Sequence, residues 1–115
     1  MAYDLKLAER VRASLQRGES VTERKMFGGL AFMLGGHMCC GVVNNELVLR
    51  LGLERALLAL DQPHVRPMDF TGRQLKGFVF VSPKGTDSDE MLRRLIGEAA
   101  AYVLSLPTKQ HAIPF

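Results

Sequence analysis

A chain of 115 residues, 47% apolar and 23% charged, fits one globular domain with a single hydrophobic core. Its formal charge of +3 is modest and its basic residues are spread out, so composition does not by itself point to nucleic acid. Acids and bases interrupt the opening "MAYDLKLAERVR", which argues against a secretory leader, and no apolar run reaches bilayer length. The expectation is a cytoplasmic protein that crosses no membrane.

In chain order, residues 3–17 read as a helix. Leu7, Val11 and Leu15 recur every fourth residue, Ala8 widens the stripe, and Gly18 is a natural stop. Beyond Gly18 the period falls to two, with Leu30, Phe32 and Leu34 alternating and then Leu47, Leu49 and Leu51. Gly28-Gly29, Gly35-Gly36 and Asn44-Asn45 fall between these runs. Two-residue hairpin turns need positive φ, which glycine adopts freely and asparagine tolerates. Strands are therefore predicted near 22–27, 30–34, 37–43 and 46–51 as an antiparallel meander, the first of them polar at its start.

"LERALLAL" (Leu53 to Leu60) predicts a short helix closed before Pro63. Strands follow near 67–70 and 76–82, with Phe78 and Phe80 on one face and Val79 and Val81 on the other. The last helix opens at Asp87, with Glu90 completing a capping box. Its stripe runs from Met91 and Leu92 through Leu95, Ile96, Ala99, Tyr102 and Val103 to Leu106, where Pro107 ends it. The organisation is a single α+β domain over 1–106, of order α-β(3–4)-α-β(2)-α, with a short tail at 107–115.

The glycine pairs invite a phosphate-binding reading, but such sites place glycines between a strand and a following helix. Here they join strand to strand, as turns do. Cys39 and Cys40 are neighbours in a strand and should face opposite ways, so they suit neither one metal ion nor an unstrained disulfide. His37 and Cys39 could share a face, yet two ligands fall short of a closed zinc site. Buried, reduced thiols, no metal and no cofactor are expected. His64, His111 and Ser82 sit in no local catalytic pattern, and Asp87, Asp89 and Glu90 suit a helix start.

Three pieces together carry a resemblance: "ERKMFGGLAFM" (Glu23 to Met33), "CGVVNNELVLRLG" (Cys40 to Gly52) and "MDFTGRQLKGFVFV" (Met68 to Val81). They resemble the TfoX N-terminal domain family, and "MAYDLKLAERVR" and "AYVLSLP" fit it as well. The motif positions are Met26, Phe27, Gly28, Gly29, Gly72, Lys76 and Gly77. The resemblance implies a two-layer fold with an antiparallel sheet, similar to secretion-chaperone-like domains, and it supplies no catalytic residue. Full-length TfoX proteins regulate bacterial competence genes in concert with the cyclic-AMP receptor protein and carry a second, C-terminal domain. This chain ends where that domain would begin. The expectation is a stand-alone, non-enzymatic regulatory module that binds a protein partner. The alternatives are a DNA-contacting transcription accessory using Arg24, Lys25, Arg73 and Lys76, or an unrecognised small-ligand or enzymatic site.

Alternation adds one further expectation. If helices cover the face of Leu30, Phe32, Leu34, Leu47, Leu49, Leu51, Phe78 and Phe80, then Ala31, Met33, Val48, Val79 and Val81 face away from them. A singly covered antiparallel sheet normally shows polar residues there. Secretion-chaperone-like domains are often dimers, so a homodimer is expected through Met33, Val48 and Val79.

Overall fold

The helical spacing at the two ends and the alternation between them produce an α+β fold, with three α-helices and one six-stranded antiparallel sheet among the described residues. The structure is a computed structural model that describes residues 3–15, 21–26, 28–70 and 73–107. It begins with α1 (Leu5–Ser14), β1 (Val21–Met26), β2 (Gly29–Leu34), β3 (His37–Val43) and β4 (Glu46–Arg50). There follow α2 (Leu53–Ala59), β5 (Val65–Phe70), β6 (Arg73–Val81), a short 3-10 helix (Pro83–Thr86) and α3 (Asp89–Leu104). The sheet order is β1-β2-β3-β4-β6-β5, so the meander is followed by a hairpin added in reverse.

Local chemistry accounts for the ends of these elements. Asp4 caps α1, its carboxylate accepting from the amides of Lys6 and Leu7 at 2.9 and 3.1 Å. Gly35 and Gly36 both hold positive φ (61° and 85°), as does Asn44 (55°), and these residues make two of the expected hairpin turns. The first turn lies one residue earlier than expected. Met26 pairs with Gly29, which leaves Phe27 and Gly28 between the strands, with Gly28 at φ 73°. Gly29 belongs to β2, where a Cβ would run into the backbone oxygen of Val42. Phe27, one of the motif positions, lies outside the described residues.

The cap of α3 also differs from expectation. Ser88, not Asp87, holds it, with its Oγ accepting from the Met91 amide at 3.0 Å. The preceding 3-10 helix keeps Asp87 in a helical conformation (φ −59°, ψ −44°), which a cap cannot adopt.

All three helices pack on one face of the sheet. That core joins Leu7, Val11 and Leu15 with Leu92, Ile96, Ala99 and Val103, above Leu30, Phe32, Leu34, Leu47, Leu49 and Leu51. The β6 expectation is reversed: Val79 and Val81 lie under the helices, while Phe80 and Phe78 join the opposite face. Register decides this, because Leu49 pairs with Val79 and Leu47 with Val81, and directly paired residues share a face. Four consecutive apolar residues at 78–81 carry no signal that could have chosen.

The opposite face forms a second, smaller cluster of Ala31, Met33, Met38, Val48, Met68 and Phe80, flanked by Met26, Val43, Leu75 and Phe78. Met33 is only 8% exposed and Val48 fully buried, so the pair expected at a dimer contact already packs within its own chain. Val79 is under the helices. The two-fold contact expected there has no exposed side chains of these three to use.

Candidate functional site

Among the residues singled out from sequence, the glycines have structural tasks. Gly77 holds φ 86°, and its carbonyl accepts from the amides of Leu51 and Gly52 at 2.8 and 3.2 Å. This bond pins the start of α2 against β6. Gly52 also has positive φ (86°), and a Cβ there would meet the Tyr102 ring at 2.6 Å. Met26 ends β1 and packs beside the second cluster. Gly72 lies outside the described residues, as do the side chains of Arg73 and Phe70.

Arg24, Lys25 and Lys76 are exposed, but the fold does not gather them into one strip. β1 is an edge strand and β6 lies beyond β2, β3 and β4. At about 4.8 Å per strand the two are roughly 19 Å apart across the sheet. Glu23, beside Arg24, is paired with Arg12 of α1 at 2.5 and 2.9 Å. The Arg12 hydrogen bond holds its carboxyl below the ordinary glutamate value.

Cys39 and Cys40 correct another expectation. Phe32 pairs with Cys40 and Met33 with Met38, which leaves Cys39 as the extra residue of a β-bulge. Alternation breaks there, and both side chains enter the core under the helices instead of facing opposite ways. They are free thiols, and the Cys40 S–H donates to Cys39. That bond eases ionisation of Cys39 against its burial, and the same bond, with burial, holds Cys40 protonated well above the usual thiol range. His37 is engaged elsewhere, its Nε2 lying 2.6 Å from the Pro107 carbonyl. Among the described residues no three His, Cys, Asp or Glu side chains are placed to hold a metal ion.

A concavity with a volume of about 310 Å³ lies between α2 and α3. Its floor is the sheet itself, at Leu49, Leu51, Val79 and Val81. Leu58, Met91 and Leu95 form the apolar walls, and Arg55, Arg94, Glu98, Gln62 and His64 stand around the opening. The rim is held by backbone bonds: the Ser82 amide donates to the His64 carbonyl at 2.9 Å, and the Gly85 amide to the Ser82 carbonyl at 2.9 Å. Gly85 fits there because a Cβ would press on Val81 at 2.6 Å. Sequence patterning did not single out Arg55, Arg94 or this cleft. The available signal was "LERALLAL", with leucines on more sides than a short helix can bury.

α2 shows the consequence. Of its seven residues only Ala56 is buried, while Leu53, Leu57 and Leu58 are 62%, 68% and 68% exposed. No helix among the described residues is long and apolar enough to cross a membrane.

The family model described as the TfoX N-terminal domain matches residues 13–102. No curated protein matches the chain, and no solved structure does.

Proposed function

Because the chain belongs to the TfoX N-terminal domain family, we propose that it is a regulatory module that acts by binding another protein. The setting is the cytoplasm, and the process is the control of competence genes with which the family is linked. In this reading the chain performs no reaction. The observation that supports it is the outward face of α2, where Leu53 and Leu57 stand one helical turn apart and are both about two-thirds exposed. Single exposed leucines are ordinary on protein surfaces. Three of them on a helix of seven residues, beside an open cleft, form a concentrated apolar patch of the kind that marks interaction sites. A partner that buried them would gain roughly 1.5–3 kcal/mol for each side chain fully covered.

Direct contact with DNA has weaker support, since the exposed basic residues are divided between an edge strand and the far side of the sheet. The test is paired affinity capture from bacterial extract, using the chain and its Leu53→Asp/Leu57→Asp variant. Both substitutions are at exposed sites, so the variant should melt close to the parent. A protein retained by the parent and lost by the folded variant supports the reading. Identical captured sets from the two would refute it.

A further inference from the structure

We propose that the cleft between α2 and α3 binds a small amphiphilic anion, with an apolar body against Leu58, Met91 and Leu95 and a carboxylate-class head at Arg55 and Arg94. This goes beyond protein docking and is separable from it, because Leu53 and Leu57 do not line the cleft.

The shape of the space comes from the residues of α2. This helix meets the sheet through small side chains, Ala56 and, at the cleft, Ala59; Leu49, Leu51, Val79 and Val81 beneath are almost fully covered, so the accessible apolar surface of the cleft is that of Leu58, Met91 and Leu95. The resulting space of about 310 Å³ is at the lower end of the roughly 300–1,000 Å³ usual for small-molecule sites. Its exposed apolar walls, Leu58 and Met91 with Leu95 beside them, offer water little side-chain hydrogen bonding. An apolar body that displaces such water forfeits few hydrogen bonds and removes apolar surface from solvent.

The charge at the opening selects the head group. Arg55 comes from α2 and Arg94 from α3, on the two helices that bound the cleft. The ion pairs among the described residues use Arg10, Arg12 and Arg66, and neither cleft arginine takes part in them. Glu98, one turn beyond Arg94, supplies one negative charge against these two positive ones. A planar carboxylate is the natural complement of a guanidinium and can take two parallel hydrogen bonds from it. A neutral ligand of the same shape would leave one of the two positive charges at the opening without a counter-charge.

The probes are octanoate and octanol, which share an apolar body and differ in the head. Each is titrated against the full chain preloaded with anilinonaphthalene sulfonate, itself an apolar anion, and each is also followed by thermal shift. Octanoate should displace the dye saturably and raise the melting temperature, with octanol about tenfold weaker. Arg55→Gln with Arg94→Gln, both exposed, should bring octanoate down to the octanol level and leave octanol unchanged. Ala59→Trp should fill the cleft and abolish binding of both. The proposal is overturned if octanoate shows no saturable binding, or if the arginine variant binds it as tightly as the parent. It is equally overturned if a folded Ala59→Trp variant still binds.

Discussion

Phe32, Leu47 and Leu49 are buried because helices lie over them. Ala31, Val48 and Met68, on the other face of the same sheet, are buried in a cluster to which no helix among the described residues contributes. The second face closes by different means. Its centre is small, at Ala31 and Val48, and its surroundings are long or flat: Met33, Met38, Met68, Phe78 and Phe80. Methionine has the rotatable bonds to fold over a neighbour. Two breaks in register, at Phe32/Met33 and Pro67/Asp69, increase local twist and help those side chains converge. Arginine completes the cover: Arg66 lies 4.4 Å from the centroid of the Phe80 ring and is paired with Glu46 at 2.6 Å. An apolar sheet face without a helix layer is therefore not an interface by default.

The comparison breaks most visibly at Phe32. It is fully buried among residues of the helices and strands, and Phe32→Ala should destabilise the domain by about 3–5 kcal/mol. Urea unfolding monitored by circular dichroism would show it. A loss below about 1 kcal/mol would mean that the helices do not seal that face.

Met68→Ala asks the same question of the second face. Met68 is fully buried there without a helix above it, and its truncation should cost about 2–3 kcal/mol. A surface methionine would lose no more than about 0.5 kcal/mol, so the measured value distinguishes a self-closed face from an open one.

Arg66→Ala tests the lid alone. It removes a cation over the Phe80 ring, an ion pair, and the aliphatic stem that covers apolar surface. A loss of about 1 kcal/mol is expected, with increased binding of a hydrophobic dye as Phe80 is uncovered. Unchanged dye binding would show that the methionines close the face unaided.

Much of this architecture was legible. Alternation at Leu30–Leu34 and Leu47–Leu51 placed two strands on their correct faces, and positive-φ residues marked the hairpins at Gly35-Gly36 and Asn44-Asn45. The errors came where the period carried no information. Residues 78–81 are apolar throughout, so the face of β6 followed from its pairing with β4, a contact between segments distant in sequence. The bulge at Cys39 inverted one parity because an extra residue in a strand leaves no mark in hydrophobicity. Ser88 and Asp87 are both good caps, and a 3-10 turn chose between them. The cleft was least legible of all: Arg55 and Arg94 line one opening only once two helices distant in sequence are packed.

The smallest expected effect concerns how the helix layer is fastened to its edge. β1 is an outer strand with a mostly exposed surface, and Glu23 on it is joined to Arg12 of α1 by two hydrogen bonds at 2.5 and 2.9 Å. Arg12 also lies 5.9 Å from the Phe32 ring centroid, so the pair sits at the margin of the helix-covered core. The hydrogen bond from Arg12 lowers the Glu23 carboxyl below its ordinary value, more than its partial burial raises it. A carboxyl with a depressed folded-state value stabilises the fold above its unfolded value, about 4.3 for glutamate. That contribution is lost as pH falls from there through the folded value. Arg12 is shifted upward, away from the acid range, and stays charged throughout. Both side chains remain partly exposed, which limits the pair to about 0.5 kcal/mol after solvent screening. Glu23→Gln should therefore lower stability by about that amount at neutral pH. In acid, with Glu23 protonated in the parent as well, the two unfolding curves should draw together. Paired urea titrations at neutral pH and at successively lower pH would reveal the convergence, which is complete only below the folded-state value. A gap that stayed constant across that range would mean that the ion pair does not fasten α1 to the edge, leaving packing around Val11 and Phe32 to hold it.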